Sequence, residues 1–146
     1  MAILYGIQTI AERSILAVFQ SYASYLPGVQ LTTGQADTLR TTPIIILNAA
    51  NARPHPDFGG TPMGNFEITF QIACYSSADD NTLETHLSRV EAIQGIMQDV
   101  ATLQSNWTQG ALKAAWIVNN EYEEADRRYG NVITYNLVAV YPPAGS

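Results

Sequence analysis

The chain is 146 residues long, 47% hydrophobic and only 14% charged, with a formal net charge of −6. That length suits one domain with a sizeable core, and the charged fraction lies well below the roughly 25% of an average soluble protein. The balance excludes a grip on nucleic acid through its phosphates, which needs a basic patch, and the surplus of uncharged surface favours contact with another protein.

Thr9 and Glu12 have the spacing of a capping box. Ile15, Leu16, Phe19, Tyr22 and Leu26 then recur at helical spacing and predict a first helix with one buried stripe, ended by Pro27-Gly28. A polar stretch from Thr32 to Arg40 leads to Pro43-Ile44-Ile45-Ile46-Leu47, whose β-branched run reads as a buried strand. From Ala49 to Asn65 there is no periodicity, and residues 53–64 hold three prolines and three glycines. Proline lacks a ladder donor and glycine has no side chain to pack, so the segment reads as a projecting loop or arm.

Phe66, Ile68, Phe70, Ile72 and Cys74 alternate with Glu67, Thr69, Gln71, Ala73 and Tyr75, the period-2 pattern of a strand with one core face. Residues 76–81 offer helix caps, and Leu83, Leu87, Val90, Ile93, Ile96, Met97 and Val100 mark the buried stripe of a second helix. Gly95 weakens that helix and would let a neighbouring backbone come close. Two long strand segments follow, Ala114–Glu124 and Asn131–Tyr141, joined by a turn ending on Gly130. Neither face of the last strand is charged, so both faces of the sheet read as covered, the second by another subunit. The expected fold is a single α+β domain over 1–146, a mostly antiparallel four-stranded sheet with two helices on one face in the order α-β-β-α-β-β.

Chemistry is sparse in this pattern. Cys74, the only cysteine, excludes an intrachain disulfide and a cysteine-rich metal site, and on an apolar strand face it reads as an inert buried thiol. His86 has no His-Glu-x-x-His partner and reads as a partly exposed helical side chain. Gly59 and Gly64 have phosphate-loop spacing, but Asn65-Phe66 follows where Lys-Ser/Thr is required, and a strand follows where a helix should start. Glu121, Glu123, Glu124 and Asp126 form an acidic cluster; on a strand Glu124 points away from the other two, and Arg127 and Arg128 offer counter-charges. Ion pairs at the surface or between subunits fit better than a catalytic or cation site. No catalytic residue, metal or cofactor is expected. The N-terminus lacks the pattern of a signal peptide and no apolar run nears the ~20 residues that span a bilayer, so no membrane partner is expected.

The ordered elements resemble a known family. A helix ending at Pro27-Gly28, the strand Pro43–Leu47, an Arg-Pro loop leading to Phe66-Glu67-Ile68-Thr69-Phe70-Gln71-Ile72, the helix Leu83–Val100 and the closing strand from Tyr129 to Tyr135 look like the tail terminator (tail completion) proteins of long-tailed bacteriophages, which are related to head–tail joining proteins. The resemblance covers nearly the whole chain as a pattern of elements, without a diagnostic short motif. It implies a virion subunit of a hexameric ring that caps the tail tube, ends its growth and joins it to the head connector. Its partners would be copies of itself, the tube protein, the head-completion protein and, in a contractile tail, the sheath, with genomic DNA passing through the lumen without specific binding. In this reading Arg53, His55, Phe58 and Met63 of the arm, and Glu121, Glu123, Glu124, Arg127 and Arg128 of the hairpin, make the contacts. A neck or head-completion protein, a tube-end protein of a contractile injection machine, and a small-ligand-binding α+β domain remain the alternatives.

Overall fold

Helix α1, Ile7–Ser21, buries Ile10, Ala11, Ser14, Ile15, Val18 and Phe19, the positions that return to one face at 3.6 residues per turn. In the computed structural model, which describes residues 6–34, 43–54, 65–79, 81–125 and 127–141, the helix starts differently from the capping-box expectation. Gly6 is the N-cap and no side chain caps it. Glu12 reaches outward instead, and its carboxylate accepts the backbone N–H of Ala49 at 2.9 Å, while the Gln8 amide donates to the Ala49 carbonyl at 2.8 Å. The polar side of the helix thereby closes the edge of a strand. A short 3₁₀ turn, Ala23–Tyr25, follows α1 before Pro27, and Gly28 turns the chain with a φ of +74° that other residues adopt at a cost.

The strands are β1 (Gln30–Thr33), β2 (Ile44–Pro54), β3 (Asn65–Ser77), β4 (Ala111–Ala125) and β5 (Arg128–Val140). Among the described residues they form one five-stranded mixed sheet in the order β1-β2-β3-β5-β4, with β1 parallel to β2 and every other neighbour antiparallel. This corrects the four-stranded, mostly antiparallel expectation. Gln30-Leu31-Thr32-Thr33 has one apolar residue and no period, so nothing local marks it as a strand. Pairing with Ile44–Leu47 makes it one. The aperiodic segment also proves shorter than expected, because β2 runs on to Pro54 past an irregularity between Ala49 and Asn51.

One face of the sheet is apolar and covered by helices. Ile45, Leu47 and Ala49 of β2 pair with Cys74, Ile72 and Phe70 of β3. These in turn pair with Asn131, Ile133 and Tyr135 of β5. The apolar members of this set form one buried cluster with Ile10, Ile15 and Phe19 of α1. Period-2 alternation puts them on a single side. Burial pushes the Cys74 thiol up to about 12, so it stays protonated and unreactive. The opposite face carries Glu67, Thr69, Gln71, Ala73 and Tyr75 beside Val132, Thr134 and Asn136, all half-buried.

The region expected to be one second helix is two. Helix α2, Leu83–Gln98, is capped by Thr82, whose hydroxyl accepts the Thr85 N–H at 3.1 Å. It breaks at Asp99, where φ is −82° and ψ 73°. The Asp99 carboxylate takes the Thr102 N–H at 3.2 Å and the Tyr22 hydroxyl at 3.0 Å, and so starts α3, Val100–Ser105. These hydrogen bonds, those of Thr102 foremost, hold the Asp99 carboxyl below its ordinary range. The buried stripe of α2 runs through His86, Val90, Ile93, Ile96 and Met97, and Leu83 and Leu87 are exposed instead. Gly95 opens no close approach, since a Cβ there would meet nothing within 4 Å.

Candidate assembly surface

Among the described residues the β4 strand pairs with one strand only, β5, and forms one edge of the sheet. Irregularities between Leu112 and Ala114 and between Ile117 and Asn119 bend it. Every side chain from Trp116 to Glu124 is exposed. Trp116, Ile117, Val118 and Tyr122 are the large apolar residues in this run, each more than 40% exposed. Ile117 pairs with Tyr135 and Tyr122 with Asn131 on the helix-covered side, whereas Trp116 pairs with Asn136 on the other. The strand thus carries large apolar residues on both sides, and the described residues cover only part of their surface, with Tyr122 beside the ring of His86 and about half of Trp116, Ile117 and Val118 left to solvent. Glu121, Glu123 and Glu124 then make its far half acidic; they pair with Val132, Gly130 and Tyr129. Edge strands commonly carry such charge because their unpaired N–H and C=O groups invite another strand.

The β4–β5 hairpin closes between Ala125 and Arg128, which pair directly. The left-handed residue of the turn is Arg127, at a φ of 57°, while Gly130, expected to end the turn, lies inside β5. The Arg127 carbonyl accepts the Ala78 N–H at 2.8 Å and ties the turn to the end of β3. The Arg128 guanidinium lies 4.5 Å from the ring centroid of Tyr75, where the negative face of the ring attracts it. Among the described residues no ion pair within the chain joins Arg127 or Arg128 to Glu121, Glu123 or Glu124. Gly130 has a packing role: a Cβ there would lie 2.8 Å from the Tyr75 ring and 3.3 Å from the Glu123 carbonyl oxygen. Gly130→Ala is expected to displace Tyr75 and to lower the unfolding free energy by about 1–3 kcal/mol, read from urea denaturation.

His86, expected to be partly exposed, is fully buried beside the turn end of this hairpin. A directed chain of hydrogen bonds runs through it. Arg89 donates to the Ser76 hydroxyl oxygen at 3.0 Å, and Ser76 donates to His86 Nδ1 at 2.9 Å. His86 Nε2–H donates to Asn131 Oδ1 at 2.8 Å, and the Asn131 amide donates to Asn120 Oδ1 at 2.8 Å. With the Arg89 donor on one side of Ser76 and the Asn131 amide committed to Asn120, the network selects the neutral Nε2–H tautomer. Burial lowers the His86 pKa below its usual 6.5, opposed by the Asn131 hydrogen bond and reinforced by the charge of Arg89. The rings of Tyr129 and Tyr122 flank the imidazole at 5.8 and 6.4 Å between centroids. The chain links α2, β3, β5 and β4, and so holds the turn end of the hairpin in place.

Arg53 is 68% exposed, and its guanidinium meets the Glu67 carboxylate of the neighbouring strand at 3.1 Å. An exposed cross-strand pair of this kind stabilises weakly. His55, Phe58 and Met63 lie outside the described residues. A cleft of about 260 Å³ between the end of α1 and α2 is lined by Tyr22, Tyr25, Ala92, Gly95, Ile96 and Asp99. Its one carboxylate is already occupied by Thr102 and Tyr22, so no converging polar set awaits a ligand. Among the described residues no group of three or more His, Cys, Asp and Glu could hold a metal ion. The residues that sequence reasoning passed over are Trp116-Ile117-Val118. Their signal was the run itself, since consecutive large apolar residues on an edge strand cannot all face one core.

No protein-family model matches the chain, and no curated protein matches it. Among solved structures the fold is similar to that of a chain in the virion of a native gene transfer agent particle. The TM-score is 0.61 at 11% identity, over 86% of this chain and 94% of that one.

Proposed function

We propose that the chain is a structural subunit of a phage-type virion, and more narrowly that it forms a ring, a hexamer by its resemblance to tail terminators, which caps a tail tube and joins it to the head connector. The observation that carries the virion reading is the shared fold over almost the full length of both chains, one of them a component of a gene transfer agent virion. The order of elements behind the tail-terminator resemblance supports the narrower reading. So does β4, an edge strand with exposed apolar residues on both faces, as a subunit needs and an isolated monomer does not. A ring needs two different, complementary patches related by a rotation that closes. With −6 on each chain, a lumen lined by carboxylates would repel DNA phosphates and let a genome slide.

The test is direct. Purified chain is added to polymerising tail tubes of the corresponding particle, and tube lengths and ends are measured by electron microscopy. Shorter tubes with extra density at one end are expected. An unchanged length distribution with bare ends contradicts the capping role.

A further inference from the structure

Among the described residues two stretches of strand are both exposed and unpaired on one side. One is β4, whose side chains are exposed from Trp116 to Glu124. The other is the last part of β2. The β1 strand covers β2 only from Ile44 to Leu47, and Gln8 and Glu12 occupy the edge groups of Ala49. Beyond that point Ala50, Asn51, Arg53 and Pro54 are exposed, and among the described residues no strand pairs with this stretch on the side away from β3. The two edges also differ in charge. β4 presents Glu121, Glu123 and Glu124, all exposed, whereas the β2 edge presents Arg53, whose single described ion pair uses one nitrogen and leaves the side chain largely in solvent.

We propose that β4 of one copy adds as a strand to the exposed end of β2 in a second copy, with the acidic half of β4 beside Arg53, so that the sheets of neighbouring subunits run on into one another. The occupant of the β4 edge is thus a second copy of this chain. Main-chain hydrogen bonds supply the contact, as in other strand additions, and Trp116, Ile117 and Val118 lose their solvent on joining. The pairing is head-to-tail, because the two edges are different surfaces. Each added copy presents a fresh β4 edge, and the array closes only when the rotation between copies returns to the start. The contact names the interface of the ring proposed above and rests on that reading for its closure, but the strand addition stands or falls by itself.

The experiment measures assembly of the full chain by sedimentation velocity across a concentration series, with hydrogen exchange of β4 followed alongside. Wild-type chain is expected to assemble, and amides within 116–121 to become protected as concentration rises. Val118→Lys and, separately, Glu121→Lys with Glu123→Lys are expected to raise the concentration for assembly at least tenfold while the unfolding midpoint stays unchanged. Adding Arg53→Glu to the double lysine variant is expected to restore most of the loss. Assembly indifferent to the β4 substitutions overturns the strand addition and leaves the ring reading standing on another interface. A discrete dimer broken by Val118→Lys, with no rescue by Arg53→Glu, overturns β2 as the partner and assigns β4 to itself. A chain that stays monomeric with β4 unprotected overturns both.

Discussion

Phe70→Ala is expected to lower the unfolding free energy by about 3–5 kcal/mol, while Trp116→Ala, the removal of a larger ring, is expected to cost only about 1 kcal/mol in the monomer. Phe70 has no exposed surface and sits mid-sheet, between Ala49 of β2 and Tyr135 of β5. Its removal leaves a hole beneath the helices that a close-packed interior cannot fill without straining its neighbours. Trp116 is 44% exposed on an edge strand, so its loss removes less packed surface than that of the fully buried Phe70 and opens no enclosed cavity. Urea denaturation of both variants, at concentrations where the chain does not assemble, measures the contrast. Equal costs would place Trp116 in this chain's own core and remove the main physical sign of an assembly surface.

The second large effect depends on pH. Burial depresses the His86 pKa below 6.5 in the folded chain, so below that value the unfolded chain binds the proton more readily than the folded one. The stability contributed by neutral His86 is therefore fully present above about pH 6.5 and is lost as pH falls towards the folded pKa, by up to about 1.4 kcal/mol per pH unit. Protonation would also place a cation beside Arg89 and turn Nδ1 into a donor, so that the Ser76 hydroxyl would have to turn its own hydrogen away. His86→Gln keeps an acceptor for Ser76 and a donor for Asn131 but cannot titrate. Its unfolding free energy is expected to lose this acid slope below pH 6.5. A wild-type slope that persists unchanged in the glutamine variant would assign the acid sensitivity to other groups.

Much of the helix-covered face could be read from the sequence, because periodicity reports one-sided burial. The alternation Phe66 to Cys74 marks β3, and Ile15 and Phe19 lie on the buried side of α1 as their spacing predicts, although Val18 and not Leu16 completes that side. What stayed hidden is what tertiary partners decide. β1 becomes a strand because Ile44–Leu47 offers an unfilled edge, and α2 ends at Asp99 because a carboxylate there can cap Thr102 and meet Tyr22 from another helix. His86 is buried where the periodicity points to Leu83 and Leu87, because Ser76 and Asn131 on the sheet satisfy both its nitrogens. The acidic hairpin could be located from sequence. The run Trp116-Ile117-Val118 beside it carries the signal that not all three residues face one core, but its place on an edge strand is set by the pairing of β4 with β5 alone among the described strands.

Solution mass tests the central claim, that this chain is a ring-forming virion subunit, most directly. Native mass spectrometry of the full chain, 15.9 kDa as a monomer, should give one discrete closed oligomer, a hexamer, that falls to monomers when Val118 becomes lysine. A chain that remains a monomer across the whole concentration range, alone and with tail tubes, would contradict it.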